Sequence, residues 1–219
     1  MNFEETLVAA EKLGISKQLI TTWFPRSKFV QAVLSNNSLS ITRQAKPFYG
    51  MAFGPEPEID ARWNEFSITR STSKELTKSF KDTGPWDIYG IATKPFDLDY
   101  KIIKDSKYID SFIENYAPNS SVKSDSKEVV AWVGIEDVAL GAICKWESGE
   151  HVLASIVVAV DERGKGYGKK VTKALITAAD KAQIKYLSLG VIADNAAAIA
   201  TYESLGFTQL AQFNSFSSI

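Results

Sequence analysis

Three glycines, an arginine and a lysine fall within one short run of this chain, Arg163-Gly164-Lys165-Gly166-Tyr167-Gly168. Glycine lets a backbone take positive φ and approach a ligand with no Cβ in the way. The residues before the run, Ser155 to Val160, are apolar after the serine, and Val157, Val158 and Val160 are β-branched, the pattern of a strand buried on both faces. After it, Val171, Leu175, Ala178 and Ala182 recur at helical spacing. The order is strand, glycine turn, helix. The first N–H groups of such a helix have no intrahelical partner and stand at the positive end of its dipole, so a phosphate or pyrophosphate is the natural guest. Arg163 and Lys165 add charge. The alternative is a tight connection whose glycines serve only the turn. A Walker A loop is excluded, because Gly164 to Gly168 is one residue short and Lys170, not Ser or Thr, follows Lys169. The dinucleotide fingerprint fails as well, since Lys169 stands where the third glycine belongs.

The spacing that does fit is Arg-x-x-Gly-x-Gly, in Arg163, Gly166 and Gly168. Placed after a β-branched strand, it resembles the coenzyme A pyrophosphate loop of the GNAT N-acetyltransferase superfamily. A second stretch, D-N-A-A-A-I-A-T-Y-E-S-L-G-F from Asp194, is similar to that superfamily's helix signature through Asn195, Ala198, Ile199, Tyr202, Gly206 and Phe207. Read residue by residue, the stretch is also a capped helix. Asn195 is a good N-cap, Ile199, Tyr202 and Leu205 share a face, and Gly206 stops it.

The resemblance implies that acetyl-CoA lies against the central strand as co-substrate, its pantetheine amides pairing with backbone at Val158 and Val160. Its pyrophosphate would take N–H groups from Arg163, Gly164, Lys165, Gly166, Tyr167 and Gly168, and Asn195 would add a hydrogen bond. Tyr202 would stand near the thioester sulfur and protonate the leaving thiolate. Where some members carry a glutamate in the central strand, this chain has Ala154. His151, Glu147 and Glu150 lie near the start of that strand, and no general base is assigned. The acceptor expected is an amine-bearing small molecule or peptide.

These residues need a scaffold. The chain has 219 residues, 45% of them hydrophobic, enough for one large domain or two small ones. A net charge of −1 gives no nucleic-acid or anionic-membrane footprint. The single cysteine, Cys144, lies in an apolar run and suits a reduced, cytoplasmic setting. The N-terminus carries Glu4 and Glu5 and no apolar h-region, and no apolar run reaches the length of a membrane span. No metal-binding cluster stands out. Homodimers are common in the superfamily the chain resembles.

Along the chain, Phe3, Leu7 and Ala10 mark a first helix and Leu19, Ile20 and Trp23 a second; Phe29, Val30, Val33 and Leu34 suggest a third. Short strands are expected at Ser38–Arg43, Phe48–Phe53 and Trp63–Thr69, and a helix at Ser73–Lys81. From residue 84 a module can be laid out: strand Trp86–Ala92, helix Asp105–Tyr116, a polar loop Pro118–Lys127, and a hairpin Glu128–Ile135/Ala139–Trp146. The central strand His151–Val160, its turn and helix, strand Lys185–Ile192, helix Asn195–Leu205 and strand Thr208–Phe216 complete it. The expected fold is α/β, a mixed and largely antiparallel sheet flanked by helices. Residues 84–219 would form the acetyltransferase domain and residues 1–83 an added helical and short-strand segment. No internal repeat stands out, although in some relatives such a segment is a degenerate half-copy of the fold. Two rival functions remain: a non-catalytic CoA-binding or regulatory module, and another nucleotide-binding protein with Asp194 on a ribose.

Overall fold

The computed structural model describes residues 1–218. Five helices are present among them: α1 (Phe3–Lys12), α2 (Lys17–Trp23), α3 (Ser106–Tyr116), α4 (Tyr167–Lys181) and α5 (Ala196–Leu205). The strands are β1 (Phe29–Ser35), β2 (Ser38–Gln44), β3 (Phe48–Phe53), β4 (Glu65–Thr69), β5 (Lys81–Ala92), β6 (Lys101–Ile103), β7 (Val129–Ile135), β8 (Ala139–Lys145), β9 (His151–Val158), β10 (Tyr186–Ile192) and β11 (Thr208–Ser217). The chain forms two compact units. One takes residues up to Tyr89, Gly190–Asn195 and the C-terminal strand from Gln209; the other takes Gly90–Leu189 and Ala196–Thr208.

In the first unit the strand order is β1-β2-β3-β4-β11-β5. Its core gathers Ala52, Trp63, Phe66, Ile68 and Phe216. The segment expected as a third helix is β1 instead. Its apolar residues at 29, 30, 33 and 34 fit either period, and the following Asn36-Asn37 decides between them. Both asparagines have positive φ (44° and 59°), the backbone of a tight hairpin turn, so β1 folds back on β2 with Ser35 opposite Ser38. The helix expected at Ser73–Lys81 shrinks to a single 3-10 turn, Lys74–Thr77, and Lys81 already begins β5. One short turn has little to bury and does not propagate.

Gly50 of β3 is required by packing. A Cβ built on it would overlap the indole of Trp63, whose Nε1 donates to Thr42 Oγ1 at 2.9 Å and whose ring sits 5.6 Å from that of Phe66. Gly50→Ala should therefore destabilise by about 3 kcal/mol, the upper end for overpacking, because the ring is pinned at its far side. Urea unfolding at constant m value checks this.

In the second unit the order is β10-β9-β8-β7-β6. Helix α3 lays Ile109, Phe112 and Ile113 on a core with Trp132, Leu140, Ala142, Cys144, Val152 and Val157. Asp105 caps α3 by accepting from the N–H groups of Lys107 and Tyr108. The two units repeat one pairing scheme. β1/β2 and β2/β3 are antiparallel and β3/β4 parallel; β7/β8 and β8/β9 are antiparallel and β9/β10 parallel. Each first hairpin turns on two residues of positive φ, Asn36-Asn37 and Glu136-Asp137. The parallel crossovers differ: α4 joins β9 to β10, whereas residues 54–64 join β3 to β4 without a helix.

Candidate functional site

The antiparallel register of β8 with β9 slips midway. Leu140 faces Val157 but Ala142 faces Ala154, so two steps on β8 match three on β9. That is a β-bulge, and Ser155 sits in it with φ of 50°. Its hydroxyl lies 2.5 Å from that of Ser120, and both reach the carbonyl of Val122. Nothing in the sequence marks a serine for positive φ, and the polar segment holding Ser120 reads as a plain loop.

On its other edge β9 pairs with β10 through a single bridge, Ser188 opposite Val152. From Leu153 to Val158 that edge is without a strand partner among the described residues. Unpaired strand edges present backbone N–H and C=O groups that need partners. At the bridge itself the Ser188 hydroxyl is wholly buried and has no hydrogen-bond partner among the described residues. β9 ends at Val158 rather than at Val160, which is 54% exposed and begins a 3-10 turn, Val160–Glu162.

The glycine turn follows. Gly164 and Gly166 have φ of 78° and 84°, and Gly166 occupies the N-cap of the 15-residue α4 without offering a side chain to it. The first-turn N–H groups of α4 thus meet no capping side chain. A Cβ on Gly168 would find only Val158 Cγ2, at 3.9 Å, so the space beside the end of β9 stays open. The pieces fit an extended ligand with an anionic end: a free strand edge, then an open notch, then an uncapped helix N-terminus.

The side chains of the turn have partners in the protein. The Arg163 guanidinium donates to the carbonyls of Val158 and Tyr116, both at 3.2 Å, tying the end of β9 to the end of α3. Lys165 pairs with Glu162 at 3.1 Å. The Tyr167 hydroxyl donates to Glu136 at 2.8 Å and Lys170 reaches the same carboxylate at 3.2 Å. Those two contacts, the tyrosine first, hold the Glu136 carboxyl below its usual range. What the turn offers a ligand is therefore mainly backbone N–H.

Tyr202 is buried on α5, its ring 5.5 Å from that of Phe207. Burial pushes its phenol up to about 12, so it carries its proton through any working pH. Asn195 is exposed, immediately precedes α5 and donates its N–H to the Ile192 carbonyl at 3.0 Å. The structure thus brings Val158, Arg163 and Gly168 together, while Val160 is exposed and the Tyr167 hydroxyl is taken by Glu136. Sequence reasoning missed Ser120, Ser155, Ser188 and Glu136, whose placement depends on pairings distant in the chain.

His151 starts β9, about 23 Å from Val158 at some 3.3 Å per strand residue. Burial, then Lys145, hold its pKa below the ordinary 6.5. The unfolded chain therefore takes up this proton at higher pH than the folded one. The contribution of neutral His151 is present above about 6.5 and is lost as pH falls below it. His151→Gln should reduce the drop in stability between about pH 7.5 and 5.5, as urea melts at both would record. Among the described residues no cluster of His, Cys, Asp and Glu could hold a metal ion, and no helix is long and apolar enough to cross a membrane.

The sequence matches the profile described as the Acetyltransferase (GNAT) family over residues 85–207. No curated protein matches it significantly. Among solved structures, a GCN5-related N-acetyltransferase from Kribbella flavida superposes with a TM-score of 0.57 at 12% identity, covering 96% of this chain and 95% of that one. One from Sphaerobacter thermophilus gives 0.59 at 10% identity, over 96% and 89%. A GNAT-family acetyltransferase from Colwellia psychrerythraea gives 0.55 at 15% identity, over 97% of each chain. At these identities the likeness is one of fold.

Proposed function

The chain belongs to the acetyltransferase (GNAT) family, and from that premise we propose that it moves an acetyl group from acetyl-CoA to a primary amine by direct attack within a ternary complex. The observation that carries this is the unpaired edge of β9 running into the uncapped N-terminus of α4. The pantetheine amides have backbone to pair with beside Val158. The pyrophosphate has the N–H groups from Arg163 to Gly168, and Asn195 adds its polar side chain. Tyr202, protonated and buried, supplies a proton to the leaving thiolate. No metal is needed, because the thioester already carries a good leaving group, a thiol of pKa about 8.5. A cytoplasmic setting suits Cys144, which is buried with its thiol pushed up to about 12 and has no disulfide partner.

The test is titration of the protein with acetyl-CoA, following heat and melting temperature, and then thiol release with a panel of amines. Ligand at 100 times its Kd adds about 2.7 kcal/mol of apparent stability when it binds only the folded state. Binding with turnover supports the enzyme. Binding without turnover on any amine supports the CoA-binding module instead. No binding at millimolar acetyl-CoA removes both.

A further inference from the structure

The bulge holds an unusual pair of hydroxyls. Among the described residues, Ser155 is one of seven non-glycine residues with positive φ, and the only one of them inside a strand. Backbone strain of this kind persists only where the surroundings hold it. Here the register slip between β8 and β9 sets it, and Ser120 meets the side chain from 2.5 Å away on the segment that follows α3. Either hydroxyl can donate in that contact, but their other partner gives the pair a direction. Ser120 Oγ donates to the Val122 carbonyl at 3.2 Å, while Ser155 lies 3.5 Å from it, at the limit of a bond. With Ser120 spent on Val122, Ser155 donates to Ser120, and among the described residues no group donates to its own oxygen. A lone pair there can accept an N–H.

Neither segment brings a carboxylate. β9 reads HVLASIVV and residues 117–122 read APNSSV. Several titratable groups on neighbouring segments already have partners. Asp110 of α3 is held by Ser124, Arg163 by two carbonyls, and Glu136 by Tyr167 and Lys170. Tyr116 packs on Phe112, Lys123 follows Val122 in the loop, and His151 is four residues back, about 13 Å along the strand.

We propose that Ser155, oriented by Ser120, receives the N–H of the acceptor amine, and that the site takes amines already neutral at working pH. This rests on the acetyltransferase reading and names its substrate class. An α-amino group, of pKa about 7.8, is roughly one-third neutral at about pH 7.5, whereas a lysine ε-amine of pKa about 10.4 is neutral about one part in 800. The favoured acceptor is an α-amine. The amine nitrogen forms its bond to the acetyl carbon as the carbon–sulfur bond breaks. The sulfur takes the Tyr202 proton; one N–H of the amine stays on Ser155 and becomes the amide N–H, and the other proton leaves nitrogen for water. Water then returns a proton to Tyr202, so the sum is amine plus acetyl-CoA giving amide plus CoA.

The experiment measures thiol release from acetyl-CoA with two probes, alanyl-alanine amide and Nα-acetyl-lysine amide, across about pH 6 to 9.5, beside acetyl-CoA affinity. For the wild type, kcat/KM should favour the α-amine at least ~20-fold at neutral pH and rise until that amine's own pKa. Ser155→Ala should lose about 10-fold or more in kcat/KM with acetyl-CoA affinity unchanged. Because that strained site is sensitive, Ser120→Ala is the second variant, expected to fall in the same direction, and Ser120→Thr should restore the rate. Wild-type rates in both alanine variants, no preference for the α-amine, or a profile that breaks at an enzyme group below the amine's pKa would overturn the proposal. So would silence with both amines in a protein that binds acetyl-CoA, which would leave the cofactor reading standing. Failure to bind acetyl-CoA would remove that reading first.

Discussion

Replacing Gly166 by aspartate should weaken acetyl-CoA binding by at least 100-fold and abolish its effect on melting temperature. Two terms act together. Gly166 sits at φ 84°, where an L side chain is strained, and it caps α4 at the point where backbone N–H groups face outward. Aspartate tolerates this backbone region better than most residues, so the helix should survive. Its carboxylate, however, would stand about 5 Å from a bound pyrophosphate. At an effective dielectric near 20, that repulsion is about 3 kcal/mol per unit charge, or more than two decades in Kd. Asparagine at the same position is the control, with equal shape and φ tolerance but no charge. Gly166→Asn should lose only about 10-fold, leaving the difference to electrostatics. Equal losses in the two variants would mean that shape alone decides, and the anion reading of the turn would fail.

Local chemistry explains what was legible in the sequence. The turn from Arg163 to Gly168 and the α5 segment could be read because their residue types constrain their own backbone: Gly164 and Gly166 take positive φ, and Gly206 ends a helix with φ of 93°. The hairpin β7–β8 was legible for the same reason, since Glu136-Asp137 breaks two apolar runs. Where the sequence misled, the deciding partner lay elsewhere in the chain. Phe29–Ser35 has apolar positions that suit a helix as well as a strand, and the Asn36-Asn37 turn that folds it onto β2 settles it. The strand from Gln209 joins a unit whose other strands come mostly from the first 89 residues, through pairs such as Phe213 with Thr69. Within the site, Arg163 is expected to meet a phosphate more through its backbone N–H than through its side chain. Its side chain braces β9 against α3, which the sequence did not show, because the carbonyl of Tyr116, forty-seven residues back, comes within reach. The bulge at Ser155 has no sequence mark at all, since its cause is a mismatch between two strands rather than a property of serine.

Tyr202→Phe should lower kcat by about 30- to 100-fold while leaving acetyl-CoA affinity nearly unchanged. The range follows from two magnitudes. A positioned general acid contributes about 10² to 10⁴. The CoA thiol, with a pKa near 8.5, is already a competent leaving group, which places the effect at the low end. Burial raises the Tyr202 phenol to about 12, so the proton is present through the whole working range and the acid limb should show no loss of activity from this group. Phenylalanine keeps the ring and its packing against Phe207, so melting temperature separates a chemical effect from a structural one. The pH dependence adds a second check. If the hydroxyl donates to the departing sulfur, the variant should be rescued in part by thioesters whose thiol has a lower pKa, because they need the proton less. An aryl thioester that turns over equally in both proteins would support the acid role. An unchanged kcat with acetyl-CoA would return Tyr202 to the core as a packing residue.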